Sequence, residues 1–410
     1  MKIILINPWI TDFKAYDEWM RPYPLYQLMS RFGNVHEFKL IDCLSGIEKR
    51  KKNGSASFQS IEIDKPDAYK IIPRKYKRYG ISVKEFQDAV LAFGKPDLVQ
   101  ITTLMTYWYP GVKLAVDVVK EIYPDVHIQL GGIYANLLPQ HAGNFASVGN
   151  NIYELYDNNE TLTNQHKLLT SNELRCVMPI RMIKGCPDNC TYCSAALLNG
   201  PGLQFTELSD LIIQLEYFIK TGGKQIVFYD DASLVNFDKV LKPLLLYIID
   251  RGMDLQLNFP NGVHARMITE EVATLLFAAG TKTIRLGYER KDEKISSKAF
   301  TVAAANLVKA GFKPTEVGAY LLIGLSKDLN VILEDARFIT ECGLGVHLNQ
   351  LSPVPGSEFY KQIIRQFPEV ATEPLLQNDM SFIFTHMGFD WNEVFAVKEE
   401  IRTNQSQTIT

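Results

Sequence analysis

VMPIRMIKGCPDNCTYCSA, residues 177–195, reads as a short buried strand followed at once by a loop carrying three of the chain's six cysteines. Val177 to Ile183 is apolar but for one Arg, too brief for a helix and bounded by glycine at Gly185. Cys186, Cys190 and Cys193 then follow at spacings of four and three. Thiolates so spaced can hold three irons of a four-iron, four-sulfur cluster, which leaves the fourth iron without a cysteine ligand. Structural zinc ordinarily uses paired Cys spacings with a second pair or His downstream, and no such pair follows here. Thioredoxin-like exchange uses a Cys-x-x-Cys that stands alone, whereas this one belongs to a triplet.

Downstream of the loop, the alternation of strand and helix continues. Strands are expected at 225–229, 255–258, 283–287, 316–323 and 347–351, with helices around 207–220, 237–250, 270–278, 297–309 and 330–341 between them. Six strands with intervening helices in about 180 residues predict a partial (β/α)6 TIM-like barrel over 177–358, short of the eight units of a complete one. In such barrels the chemistry sits at the carboxyl ends of the strands, where the cysteine loop lies. The stretch 359–410 is expected to be a C-terminal extension with a frayed end.

Upstream, apolar runs at 2–7, 37–42, 97–102 and 127–130 alternate with helical stretches. Val112, Ala115, Val119 and Ile122 mark one amphipathic face. This predicts an α/β domain over 1–141, a doubly wound parallel sheet of the Rossmann type. Residues 45–94 interrupt the rhythm with basic pieces at Lys49 to Lys52 and Arg74 to Arg78, expected as solvated faces of an insertion. The polar stretch 142–176 is expected to be a linker.

The 410 residues are 46% hydrophobic and 22% charged, which describes a globular chain able to bury sizeable cores. A formal charge of −3 gives no basic field for nucleic acid or an anionic membrane. The opening MKIILINPW lacks the cleavage site of a leader, and no run has the length of a membrane span, so a cytoplasmic location is expected. Six cysteines are too few for a disulfide framework. Cys43, Cys176 and Cys342 read as small buried side chains. His141, His264 and His347 read as hydrogen-bonded structural residues.

Cys186, Cys190, Tyr192 and Cys193 resemble, position for position, the hallmark of the radical S-adenosylmethionine (radical SAM) superfamily: Cys-x-x-x-Cys-x-x-Cys with an aromatic residue before the third cysteine. The resemblance implies that the open iron chelates S-adenosylmethionine. The reduced cluster then cleaves it to methionine and a 5′-deoxyadenosyl radical, with the protein supplying orientation and exclusion of water and oxygen. It further implies that an acidic residue ending the second barrel strand, Asp230 or Asp231 in IVFYDD, meets the methionine amino group. The usual Gly-Gly-Glu is absent, which leaves both open. In IRLGYER, Gly287 permits close approach and Arg285 or Glu289 meets ribose or carboxylate. Gly324 in LLIGL offers backbone to adenine, and SPVPGSEFY (352–360) resembles a recurrent proline-rich turn. Each acidic residue also reads as a surface cap or salt bridge.

Residues 1–141 are similar to the cobalamin-binding domain that precedes the barrel in a large subfamily, through INPW, PYPLYQLM, PDLVQITTLMTYWYPGV and LGGIYANLLPQHA. Thr102, Thr103, Thr106, Gly131 and Gly132 are then the small or hydroxylic residues at strand ends that a corrin or its nucleotide tail needs. The Asp-x-His-x-x-Gly motif of other cobalamin proteins is missing from the loop after the first strand, which removes a cobalt-ligating His of that kind. That loop carries Trp9, Phe13, Tyr16 and Trp19 instead. Tyr107, Trp108 and Tyr109 read either as a face for the corrin or as ordinary interdomain packing.

The resemblance predicts an enzyme working at low oxygen with a 4Fe-4S cluster, S-adenosylmethionine and cobalamin, methylating an unactivated carbon of a small-molecule or peptide substrate. An electron donor such as flavodoxin or ferredoxin would serve it. Two alternatives stand beside this: a cobalamin-independent radical rearrangement, cyclisation or oxidation, and an iron-sulfur redox sensor or scaffold.

Overall fold

Ile3, Ile4, Leu5 and Ile6 are fully buried along β1 (Lys2–Asn7). Beside it lie β2 (Glu37–Asp42), β3 (Leu98–Thr103), β4 (His127–Gly132) and the two-residue edge strand β5 (Ser147–Val148), all in parallel register. Strands covered on both faces need no polar side, which is why the central runs are continuously apolar. The order β5-β4-β3-β1-β2 is a doubly wound arrangement, whose switch point falls between β1 and β3. The computed structural model describes residues 1–51, 55–149, 167–200, 202–288 and 297–408.

The chain divides into two compact units, Met1–Leu174 with Lys361–Asn378, and Arg175–Tyr360 with Asp379–Thr410. In the first unit α1 (Tyr23–Phe32), α2 (Val83–Phe93) and α3 (Tyr109–Ile122) accompany the sheet. Phe86 and Val90 of α2 pack in one core with Val112, Ala115, Val116 and Val119 of α3. Helix α2 starts at a capping box: Ser82 accepts from Glu85 N–H while the Glu85 carboxylate accepts from Ser82 N–H. Because α2 joins β2 to β3, the inserted material proper lies before it. With strands from the loop after β1 it forms two small antiparallel sheets, one of Ile10–Asp12, Lys77–Tyr79 and Ser60–Glu62, the other of Tyr16–Asp17, Ala56–Phe58 and Ile47–Arg50.

Of the stretch read as a linker, 150–166 lies outside the described residues. Its flanks are integrated into the first unit: Val148 pairs with Leu130, and Leu169, Ser171 and Leu174 are buried. The segment Lys361–Asn378 also belongs to this unit. It docks with Val370 and Leu375 buried, and with Asn378 donating to Asp12 Oδ1 at 3.2 Å and Tyr109 Oη donating to Glu373 at 3.3 Å. Turns of four residues each, Glu369–Thr372 and Pro374–Gln377, are too short to leave an apolar periodicity in the sequence.

The second unit is a six-stranded parallel sheet in sequential order: β6 (Val177–Ile180), β7 (Gln225–Phe228), β8 (Gln256–Val263), β9 (Thr281–Tyr288), β10 (Val317–Ile323) and β11 (Gly345–Gln350). Helices α4 (Leu208–Lys220), α5 (Leu241–Asp250), α6 (Glu270–Ala278), α7 (Ser297–Ala310) and α8 (Leu329–Glu341) form the crossovers, and α9 (Trp391–Thr408) follows near the carboxyl terminus. On β9, Ile284, Leu286 and Tyr288 are buried, and the Tyr288 ring meets Phe300 of α7 at 5.0 Å and Phe338 of α8 at 5.8 Å. The alternate residues Arg285 and Gly287 are half-buried and therefore face the lumen. This is a partial (β/α)6 barrel. Among the described residues no helix is long and apolar enough to cross a membrane.

Candidate functional site

The cysteine loop leaves the barrel at the carboxyl end of β6, and four sets of contacts fix its path. Asp230, just past the end of β7 and buried, accepts from the N–H groups of Met182 and Ile183 through Oδ1. Burial pushes its carboxyl pKa up to about 7, and the two backbone donors oppose that rise. Its other oxygen, Oδ2, is buried with no hydrogen-bond partner among the described residues. Asp231 Oδ2 accepts from Arg181 Nη2 and Asn199 Nδ2, each at 2.9 Å, and Arg181 Nη2 also reaches Asn199 Oδ1 at 2.6 Å. This network ties the end of β6 to the short helix Ala195–Asn199 that closes the loop.

At the tip, inside CPDNC, Asp188 is gripped from the end of β8. Arg266 Nη2 lies 3.0 and 2.9 Å from its two oxygens, and His264 Nδ1 lies 3.3 Å from Oδ2. The proline-rich turn after β11 supplies the fourth contact: Ser194 Oγ donates to Pro355 O at 2.6 Å, and Phe359 N–H donates to Thr191 O at 2.8 Å. The three cysteines thus sit on a loop held at base, tip and far end.

Cys186 and Cys190 are half-buried and Cys193 is exposed, with Cys193 N–H donating to Cys190 O at 3.1 Å within one tight turn. Desolvation by the surrounding loop raises the Cys186 thiol, and the charge of Cys193 adds to the rise, so these two sulfurs feel each other. The Cys193 thiol is raised in the same way. Asp231 also raises both, which places its carboxylate within electrostatic reach of the two sulfurs. Thiols held protonated in this way lose the proton on meeting iron. Three soft donors on a braced, solvent-reachable loop fit an iron-sulfur cluster. Cys186, Asp188 and His264 also bring ligand atoms within 4.8 Å of one another. A separate cation there would have to displace Arg266 from both Asp188 oxygens, so the trio is a brace rather than a second metal site.

The other expected residues fall differently. Tyr192 is half-buried in the cysteine loop. Gly287 lies opposite Tyr320 on the lumen face. Arg285 turns towards the amino ends of the strands, where its Nη1 donates to Ile284 O at 3.1 Å and Glu316 O at 3.4 Å. It also faces His347, whose pKa burial lowers to about 4, with Arg285 adding to the fall. Gly324 adopts φ +110°, and a side chain there would strike Ile383 at 2.8 Å and Leu351 at 3.0 Å. Its conformation serves packing of the chain's last segment against the strand end. Glu289 lies outside the described residues.

In the first unit, Gly131 and Gly132 end β4 opposite Thr102 and Thr103 of β3. Gly132 has φ +93°, and a Cβ would stand 2.4 Å from Thr103 O. The Thr103 hydroxyl is already used: it donates to Gly131 O at 2.8 Å and accepts from Ala135 N–H at 3.1 Å. Thr102 and Thr106 are buried. What this edge presents is backbone and small side chains. Of the aromatic loop after β1, Trp9, Phe13 and Trp19 are buried, and Trp9 Nε1 donates to Ile81 O. Trp108 Nε1 donates to Asp12 at 2.7 Å, and the Tyr109 ring stacks on Phe145 at 5.9 Å. Trp108 and Tyr109 therefore pack inside the first unit. Cys176, read as buried, is exposed at φ +59°.

Sequence reading missed Asp188, His264 and Arg266 as a unit. Asp188 was visible inside the cysteine motif, but only the order of the strands brings 264–266 to it.

No family model matches the chain, and no curated protein matches it. Among solved structures it is similar to the radical S-adenosylmethionine methyltransferase TsrM from Kitasatospora setae with cobalamin and a [4Fe-4S] cluster bound. The identity is 13%, the TM-score 0.61, and the match covers 89% of this chain and 78% of that one. A second structure of TsrM, with a tryptophan substrate and a SAM analogue bound, gives 12% identity and a TM-score of 0.60 over 89% of this chain and 76% of that one. At this identity the likeness establishes the fold: a doubly wound domain followed by a partial barrel.

Proposed function

We propose that this chain is a radical SAM enzyme, with Cys186, Cys190 and Cys193 holding a 4Fe-4S cluster. Methylation of an unactivated carbon with the help of cobalamin is the leading reaction. The observation that carries the reading is the braced cysteine loop at the carboxyl rim of a six-stranded parallel barrel. Support comes from a fold shared over 89% of the chain with a methyltransferase that binds cobalamin and such a cluster. When bound, the cluster and S-adenosylmethionine supply an adenosyl radical able to take hydrogen from an unreactive C–H bond, and a corrinoid supplies a route for the methyl group.

The chain's own residues divide the remaining work. Asp230 holds the first turn of the loop through two backbone N–H groups and is too enclosed to greet a ligand. Asp231 has a side chain 28% exposed and within reach of Cys186 and Cys193, so it is the one of the pair placed to meet the methionine amino group. Arg181 and Asn199 hold that carboxylate in place. The lumen face, with Gly287, Tyr320 and a neutral His347, orients the substrate and sheds its water. In the first unit, the strand ends at Thr102, Thr106, Gly131 and Gly132 offer backbone to a corrin. The chain works in the cytoplasm with a low-potential electron donor of the flavodoxin or ferredoxin kind.

The test is anaerobic expression with cobalamin, cluster reconstitution, and incubation with methyl-labelled S-adenosylmethionine and candidate acceptors such as tryptophan. Label in the acceptor supports methylation. Formation of 5′-deoxyadenosine with neither corrinoid nor label transfer favours the second reading, a cobalamin-independent radical rearrangement, cyclisation or oxidation.

A further inference from the structure

The loop tip carries an arrangement that holding three thiolates does not require. His264 and Arg266 stand just beyond the carboxyl end of β8, past an irregular stretch where the pairing with β9 jumps from Phe259 to Gly262. That stretch is itself pinned, with Asn261 Nδ2 donating to Asp230 O at 3.1 Å and Tyr320 Oη donating to Pro260 O at 2.6 Å. The two side chains therefore leave a fixed support and converge on Asp188. An imidazole nitrogen of His264 lies within 4.8 Å of Cys186 Sγ, while Nδ1 faces Asp188 Oδ2 at 3.3 Å. Arg266 Nη2 lies 3.4 Å from the same Nδ1 and holds both Asp188 oxygens. The His264 and Asp188 side chains are each only 17% exposed, so the imidazole has few other places to turn.

A guanidinium can only donate, so the Arg266 contact makes Nδ1 an acceptor and leaves the hydrogen of a neutral imidazole on Nε2, while Asp188, gripping Arg266 through both oxygens, holds that arrangement and aims the ring. Hydrogen bonds to cysteine sulfur withdraw electron density from an iron-sulfur cluster and make it easier to reduce. We infer that His264, oriented by Asp188 and Arg266, donates an N–H hydrogen bond to the Cys186 sulfur in the cluster-loaded protein and so raises the cluster's reduction potential. His264 is in this account a positioning and tuning residue that touches neither substrate nor S-adenosylmethionine. The inference rests on the reading that Cys186 ligates iron.

The experiment uses the full chain, reconstituted anaerobically with iron and sulfide, as wild type and as H264F, H264A, H264Q and D188N. Iron and sulfide are counted, and the midpoint potential is read by a redox titration followed by electron paramagnetic resonance. The expected result is full cluster content throughout, with a more negative midpoint in H264F and H264A. H264Q keeps an N–H donor and recovers part of the shift; D188N, which loses the orienting charge, falls between. Equal midpoints at full loading would overturn the inference and leave the site reading standing. Loss of the cluster from both H264F and H264A would overturn it too, by making His264 a residue that holds iron rather than tunes it. A wild type that takes up no cluster would remove both the inference and the site reading.

Discussion

The carboxyl ends of the two parallel sheets present opposite kinds of surface. At the barrel, side chains converge: three thiols, Asp231 with Arg181, and Asp188 with Arg266 and His264 lie on or against one loop. At the doubly wound sheet, Thr103 spends its hydroxyl on Gly131 and Ala135, Trp9 and Trp108 spend their ring N–H groups on Ile81 and Asp12, and Gly132 contributes a backbone turn. A site that activates a small reagent needs charged and ligating groups aimed at one point. A site that seats a large flat cofactor needs shape, and shape comes from residues already satisfied among themselves. The comparison predicts that single substitutions abolish the chemistry at the first rim and only loosen the fold or the fit at the second.

The largest effect falls on the cysteines. Replacing any one of Cys186, Cys190 and Cys193 with Ala should abolish cluster formation and bring cleavage of S-adenosylmethionine to background, measured as iron content and 5′-deoxyadenosine. D231A should leave iron content intact while weakening S-adenosylmethionine binding at least tenfold, read by calorimetry. Equal binding in D231A and wild type would return the role to Asp230 or to neither.

Asp230 comes next and shows itself in stability. Its folded pKa of about 7 is above that of an unfolded aspartate, about 3.9, so the folded state holds the proton more tightly. Its contribution is therefore fully present below about pH 4 and is lost as pH rises towards 7, by on the order of 4 kcal/mol at most. His347 acts in the opposite sense: with its pKa lowered to about 4, its contribution is present above the unfolded value of about 6.5 and lost as pH falls. Denaturant titrations from pH 4 to 7 should show a stability slope more positive with pH in D230N than in wild type. Identical slopes would mean that the Asp230 carboxyl is ionised throughout.

The smallest effects belong to the doubly wound sheet. G132A should cost about 1–3 kcal/mol, because the new Cβ meets Thr103 O at a positive φ. T103V, which strands Gly131 O and Ala135 N–H, should cost about 1–3 kcal/mol. Both should leave cluster content unchanged. Loss of the cluster from either would break the separation drawn between the two rims.

The same contrast explains what could be read in advance. Strand and helix order followed from continuous apolar runs such as Ile3 to Ile6 and from the amphipathic face of α3, because burial on two faces or one leaves a pattern in the chain. The cysteine loop was legible because its three thiols lie within eight consecutive positions. Asp230 and Asp231 could not be told apart from IVFYDD, since adjacent residues after a strand end point to different surroundings and only the fold shows which is enclosed. His264 was read only as a hydrogen-bonded structural residue, and neither it nor Arg266 could be assigned to Asp188, which they reach from 76 and 78 positions away. The docking of Lys361–Asn378 into the first unit was equally silent, because its buried apolar side chains Val370 and Leu375 sit in separate four-residue turns and set up no periodic stripe.

The account rests most heavily on the cysteine loop, and one assay addresses it directly: 5′-deoxyadenosine released by the anaerobically reconstituted full chain with reductant and S-adenosylmethionine, beside the triple Cys186→Ala, Cys190→Ala, Cys193→Ala variant. The account predicts about four irons per chain and steady release in the wild type, with neither in the variant. A fully loaded wild type that releases none, or release that persists in the variant, would contradict it.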